Sequence, residues 1–237
     1  MIQNFTLLGI TISFYDLFFA MGFVGVFTYL LSVCKKYKIS YGKTAVFTVL
    51  VYGSSLIWMF FLYWADSGFK AWGGNNIVRI FWWLGVFTYP VARMLKIDYL
   101  RALDYVSPCL CINHGIAHIG CIFAGCCHGY PAVHGMYSVP AGCRCFPVQL
   151  CEALTALAIA ALIVRMASRK KYSAEKCILY PTMLTLYGGT RFLWEFFADN
   201  KKVIGQISEL ALWALATCII GLVWLLICKK RTPQGVN

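Results

Sequence analysis

Arg191 and Glu195 stand four residues apart in an otherwise apolar stretch, LTLYGGTRFLWEFF. At that spacing the two side chains share one helix face and can pair. Two readings are open. The pair is a structural ion pair, or the guanidinium faces a helix-bundle interior and holds an anion, for which phosphate suits its planar fork. A second constellation lies upstream. His114, His118, Cys121 and Gly125 follow spacings of 4, 3 and 4, with Cys111 three residues before His114. These positions line one helix face. Two imidazoles at i and i+4 can act as a base, a phosphate partner or metal ligands. The thiols alone say less, because cysteine packs readily as a small apolar side chain. Asp16, Arg79, Glu152 and Glu209 also fall in apolar segments. Ionisable groups at membrane depth are costly and mark function, although Asp16, Glu152 and Glu209 lie near segment ends, where a side chain can reach the interface.

The chain has 12 cysteines. Cys34, Cys151, Cys177, Cys218 and Cys228 are scattered and read as packing residues. Cys126 and Cys127 (in GCCHG) and Cys143 and Cys145 (in GCRCF) flank one loop. On an outer, oxidising face, disulfides from 126/127 to 143/145 would staple that loop. A metal site using these thiols and His128 is the weaker reading, because the C-x-x-C spacing of zinc sites and of redox motifs is absent. The expectation is therefore no metal.

The elements that carry these residues follow from composition. Of 237 residues, 60% are hydrophobic and 13% charged, where a soluble domain has about 25% charged. The apolar residues come in long runs. This excludes an ordinary soluble domain, disorder, a coiled coil and a small disulfide-stapled module. It leaves an all-α polytopic membrane protein. Seven spans are predicted, at about 12–33, 44–65, 77–95, 105–126, 147–167, 178–198 and 207–228, within a single domain over 1–237. Residues Met1 to Gly9 lack the basic start of a signal peptide, no internal repeat is visible, and nothing suggests the inverted repeats of a transporter.

A net charge of +12 would raise nucleic acid as a partner in a soluble protein, but its placement argues against that. Fifteen basic residues (Lys35, Lys36, Lys38, Lys43; Arg93, Lys96, Arg101; Arg165, Arg169, Lys170, Lys171, Lys176; Lys229, Lys230, Arg231) fall in one set of alternating loops. Four (Lys70, Arg144, Lys201, Lys202) fall in the other. Basic loops stay cytoplasmic. The N-terminus is therefore expected outside, the C-terminus inside, and loops 66–76, 127–146 and 199–206 outside.

Four segments in order resemble the prolipoprotein diacylglyceryl transferase family. FYDLFFAMGF resembles its aromatic-Tyr-Gly segment, with Tyr15 at the tyrosine. DYVSPCLCINHGIAHIGCIFAGCCHG resembles its Asp-Pro to Gly signature, with Asp104, Pro108, Gly120, Gly125 and Gly129 in register. PVQLCE resembles Pro-Ser-Gln-Leu-Tyr-Glu, giving Pro147, Gln149 and Glu152. YGGTRFLWEFF resembles the Tyr…Arg…Glu-Phe segment, giving Tyr187, Arg191, Glu195 and Phe196, and GQIS follows. There are departures. His118 stands where the signature has Arg, Cys121 where it has Asn, and the His-Gly-Gly motif of span 3 is replaced by NIVRIFWWLG, with Arg79 nearby. The chain is similar to a cysteine-rich, GCC-containing branch.

The resemblance implies a multi-pass protein of the bacterial plasma (inner) membrane, with phosphatidylglycerol as lipid donor, a prolipoprotein lipobox cysteine as acceptor, and no cofactor. It implies catalytic roles for His118, Arg191 and Glu195. Tyr15, Arg79, His114, Cys121, Gly125, Gly129, Gln149, Glu152 and Tyr187 are the expected substrate-binding positions. The departures keep three alternatives open: a different acceptor, a non-catalytic lipid-binding protein, and a thiol-redox protein.

Overall fold

The computed structural model describes residues 4–7, 10–66, 68, 77–169, 172 and 177–230. Seven helices run in chain order: α1 (Phe14–Val33), α2 (Tyr41–Asp66), α3 (Ile77–Leu95), α4 (Tyr99–Ala124), α5 (Val148–Ala167), α6 (Leu179–Trp194) and α7 (Glu209–Lys230). Each coincides with one apolar segment of the sequence. Three antiparallel hairpins accompany them, so the described chain is mostly helical and not all-α. They are β1 (Asn4–Leu7) with β2 (Ile10–Ser13), β3 (Pro131–Ser138) with β4 (Cys143–Cys145), and β5 (Lys202–Ile204) with β6 (Ile207–Ser208). Their strands are short, and two of their turns use Gly142 and Gly205 at φ 67° and 55°, a conformation glycine enters at little cost. The loop expected at 66–76 lies almost wholly outside the described residues.

Five helices (α1, α2, α4, α5 and α7) are long and apolar enough to cross a membrane. The 16 residues of α6 reach roughly 24 Å, short of a ~30 Å hydrocarbon core. The expected span 178–198 is cut short where the chain leaves the helix at Glu195. Large apolar side chains such as Val24, Val49, Ile57, Leu154, Val223 and Leu226 are exposed on the outer faces, as lipid-facing surfaces require.

The helix α4 is the axle of the bundle. Of its apolar stretch 67% is buried within the chain, against 17% for α1 and 22% for α7. Where lipid gives helices no hydrophobic drive to associate, close packing over small residues does that work. A Cβ added to Gly120 of α4 would lie 3.0 Å from Tyr15 Cα and Phe18 Cβ of α1, and one added to Gly188 of α6 would lie 2.5 Å from the Cys218 backbone nitrogen of α7. At the centre, Tyr105 donates its hydroxyl to the Leu30 carbonyl at 2.8 Å and meets Thr44 Oγ1 at 3.1 Å, joining α4 to α1 and α2.

The lower end of α4 also starts α6. Asp104 is fully buried. Its Oδ1 accepts from the backbone N–H of Leu179 (2.9 Å) and Tyr180 (3.0 Å), and its Oδ2 from Ile178 N–H (3.2 Å) and the Tyr172 hydroxyl (2.8 Å). The residue preceding α6, Ile178, makes no side-chain cap of its own. A carboxylate from another helix therefore satisfies the unpaired N–H groups of α6 and sits at the positive end of its dipole. Burial pushes the Tyr172 phenol well above its usual range, which keeps it a proton donor to Asp104.

Asp104→Ala is expected to lower stability by about 3 kcal/mol, since it strands buried N–H groups. Asp104→Asn, which keeps one acceptor oxygen, should fall between it and wild type. Thermal unfolding in detergent, followed by tryptophan fluorescence, reads both.

Candidate active site

The chemistry-bearing residues of α4, α5 and α6 converge near one end of the bundle. His118 lies six residues before the end of α4, Glu152 four residues into α5 and Arg191 three residues before the end of α6. At 1.5 Å per residue these depths are roughly 9, 6 and 5 Å. The hub is Glu152, only 3% exposed. Its Oε1 pairs with Arg191 Nη1. Its Oε2 faces His118 Nδ1 at 3.1 Å and His114 Nε2 at 3.8 Å. The two imidazoles lie with ring centroids 4.0 Å apart, as their i, i+4 spacing requires.

Arg191 is held from both sides. Its Nη2 meets Glu195 Oε1 at 2.5 Å. Glu195 is in turn fixed by Asn200 Nδ2 at 3.1 and 2.9 Å and by the Ser208 hydroxyl at 2.5 Å. The Arg191 Nε and the Gln149 Oε1, one helical turn before Glu152, find no hydrogen-bond partner among the described residues. Buried polar atoms of this kind are rare and mark places where a ligand completes the bonding. Two carboxylates surround one guanidinium, so one proton shared among Glu152, His118 and His114 brings the cluster to neutrality. Buried charge demands such balance.

The sequence profile of the family described as prolipoprotein diacylglyceryl transferase matches residues 3–227. The chain belongs to that family. Over 133 residues it is 27% identical to the phosphatidylglycerol–prolipoprotein diacylglyceryl transferase of Clostridium tetani (strain Massachusetts / E88), covering 53% of this chain and 52% of that protein. Over 121 residues it is 26% identical to phosphatidylglycerol–prolipoprotein diacylglyceryl transferase 2 of Clostridium perfringens (strain 13 / Type A), covering 48% and 46%. The chain thus spans about half the length of the curated relatives it matches. With its apolar helices, this makes it a membrane protein of the transferase family.

Within this family frame, the structure brings His114, His118, Gln149, Glu152, Tyr187, Arg191 and Glu195 together. The Tyr187 hydroxyl lies 3.3 Å from His114 Nε2. Arg79 is in α3, but its side chain lies outside the described residues. Gly125 and Gly129 shape the chain. Gly125 ends α4 at φ 72° with its N–H on the Cys121 carbonyl. Gly129 is pressed between segments, where an added Cβ would lie 2.4 Å from the Phe197 carbonyl oxygen. Tyr15 packs beside Gly120 at the start of α1 and is 36% exposed. Cys121 turns toward other thiols. Asn200 and Ser208, which fix Glu195, were not marked by type or spacing in the sequence. The GQIS segment was the only signal near them.

The cysteines group differently from the expected staple. None forms a disulfide among the described residues. Cys143 Sγ and Cys145 Sγ lie 3.6 Å apart, two residues apart on strand β4. The ligand atoms of His118, Cys121 and Cys127 fall within 4.8 Å of one another. His128, the imidazole of the weaker metal reading, meets the Gly129 carbonyl at 3.1 Å. A second group that can hold a cation is His114, His118 and Glu152.

Arg191→Met is expected to destabilise the protein by roughly 3–5 kcal/mol, because it leaves two buried carboxylates uncompensated, while Glu152→Gln, which leaves Arg191 balanced by Glu195, is expected to cost less. The double variant should cost less than the sum of the two. Thermal unfolding of the three variants measures the coupling.

Proposed function

We propose that this chain transfers a diacylglyceryl group from phosphatidylglycerol to the thiol of a prolipoprotein lipobox cysteine and releases glycerol phosphate. It would do so at the outer face of a bacterial plasma membrane, with seven spans, the N-terminus outside and the C-terminus inside. The observation that carries this reading is the buried Glu152–Arg191–Glu195 cluster, assembled from α5 and α6 of a family member at the end of the bundle where the basic loops are scarce.

The reaction sets the requirements. A C–S bond forms at the glyceryl carbon, and the C–O bond to phosphate breaks with its electron pair leaving on glycerol phosphate. Negative charge therefore develops on the leaving phosphate in a site of low dielectric, where a fixed cation is worth most. Arg191 supplies that cation, and its fork suits two phosphate oxygens. Glu195, locked by Asn200 and Ser208, is a positioning residue that keeps the guanidinium aimed. The acceptor thiol must lose its proton to become a nucleophile. Glu152, with His118 and His114 against it, is the base. Once Glu152 has taken the thiol proton it no longer competes with phosphate for Arg191, so deprotonation and phosphate capture are one hand-off. Gln149, with an unpartnered carbonyl oxygen, accepts from a donor hydroxyl, and Tyr187 holds the His114 ring.

The test is mass spectrometry of peptide and lipid after incubating the purified protein with phosphatidylglycerol and a lipobox cysteine peptide. A diacylglyceryl mass gain on the peptide supports the reading. Lipid consumed without peptide gain assigns a different acceptor, and lipid bound but intact assigns a binding protein. Arg191→Lys keeps the charge and loses the fork. It is expected to slow turnover on the order of 100-fold, with folding intact by the same unfolding measurement. Turnover near wild type in that variant would remove Arg191 from the phosphate.

A further inference from the structure

We propose that His118, Cys121 and Cys127 bind a soft divalent ion, with Zn2+ the best fit, at the mouth of the candidate active site, and that its open position takes the acceptor thiol as a thiolate. The second clause rests on the transferase reading above. The first does not.

Three observations converge. The first is distance. The three ligand atoms already lie within 4.8 Å of one another. A tetrahedral zinc site with Zn–S near 2.3 Å and Zn–N near 2.0 Å has edges of about 3.5–3.8 Å, which small side-chain rotations close. The donor set of two thiolates and one imidazole is one that zinc prefers. With three protein ligands, a fourth position is left for substrate, the arrangement of catalytic zinc.

The second observation is the backbone. Gly125 terminates α4 in the left-handed region, and Cys127 follows at φ 54°. A left-handed non-glycine residue is uncommon and clusters at functional positions. Here two such turns within three residues fold the chain back, so that Cys127 lies over Cys121, one helical turn beyond His118. Cys121 is buried while Cys127 is exposed, so the cluster is anchored on one side and open on the other.

The third is the group behind the histidine. His118 Nδ1 lies 3.1 Å from Glu152 Oε2, close enough for a small rotation to bond the two, with Nε2 assigned to the ion. A carboxylate holding the far nitrogen of a ligating imidazole fixes its ring and raises its basicity. The same Glu152 is the base of the proposed transfer, so the ion and the phosphate-binding arginine sit on opposite sides of one carboxylate. A thiol bound to a metal ion gives up its proton. The acceptor S–H proton passes to Glu152, the metal-held sulfur attacks the glyceryl carbon, the C–S bond forms, and the C–O bond breaks toward glycerol phosphate. No atom changes redox state at the ion, so Zn2+ suffices.

The full chain, purified in detergent without chelator, tests this through metal analysis and Co2+ titration. The expected result is one Zn2+ per chain, Co2+ binding with thiolate-to-metal absorption in the near ultraviolet, and protection of Cys121 and Cys127 from alkylation when Zn2+ is present, mapped by mass spectrometry. Cys121→Ser, Cys127→Ser and His118→Gln should each weaken Co2+ binding at least 10-fold, and Cys143→Ser should leave it unchanged. Glu152→Gln should weaken it by 10–100-fold. Wild-type protein with titratable thiols and no Co2+ absorption overturns the site, as does full binding in Cys127→Ser or a disulfide among Cys121, Cys126 and Cys127. Peptide transfer that persists undiminished after the ion is stripped overturns the thiolate role. Zn2+ bound with no transfer to any thiol peptide leaves the site standing and overturns the transferase reading.

Discussion

A guanidinium cannot be buried in a membrane-spanning bundle unless anions come with it, and Arg191 brings two. Glu152 arrives from α5 and Glu195 from the end of its own helix. Much of the local architecture follows from that demand. Burying the pair forces α5 and α6 together. The surplus negative charge draws His114 and His118 of α4 against Glu152, and the second carboxylate needs Asn200 and Ser208, which pulls the start of α7 over the site. Such a pair contributes little net stability, because desolvation offsets attraction. What it contributes is position, since four helices can satisfy the charges in one arrangement.

The other end of α4 uses the same logic with a different donor. Asp104 is a buried charge balanced by backbone N–H groups and a tyrosine instead of an arginine. The helix α4 is thus tied to α6 twice, by a carboxylate at the beginning of α6 and by imidazoles that meet Tyr187 and reach Arg191 through Glu152 of α5. Between the two ties lie apolar residues and small side chains. The polar chemistry is confined to the ends of the axle, where water and lipid headgroups are within reach, and the middle is left to packing.

The sequence exposed the helices well because their signal is long apolar runs. It exposed Arg191, Glu195, His114 and His118 because a charged or titratable residue in such a run is conspicuous. Glu152 was visible as a residue near a span end and, through the resemblance, as a substrate-binding position, but not as the hub. Its centrality depends on how α5 rotates against α4 and α6, which periodicity does not encode. Asn200 was invisible because a polar residue in a loop is ordinary, and Ser208 stood out only as the last residue of GQIS. The three hairpins were missed because each strand spans only two to eight residues and is flanked by far stronger helix signals. The cysteines misled for a related reason. Sequence order put 126/127 and 143/145 on either side of one loop, while the turn through Gly125 and Cys127 folds Cys127 back toward His118 and Cys121.

Gly129 has a consequence beyond packing. Its N–H bonds to the Phe146 carbonyl, while Tyr130 N–H reaches Phe197 O at 3.1 Å and Asp199 N–H reaches His128 O at 3.2 Å, with Gly129 bridged to Ala198. The segment leaving α4 is thereby stitched to the segment leaving α6, strand-fashion, above the charged cluster. That seam is shut by backbone bonds that no side-chain rearrangement can release. On the proposed transferase reading, a lipid tail entering sideways would have to part the bundle along some other pair of helices, and an acceptor peptide would have to approach around the stitch. Variation in loop length is confined as well. Residues can be added at the exposed tip between β3 and β4, where Pro140 to Gly142 turn in the open, but not in the four residues between Gly125 and Tyr130 without unpicking the seam.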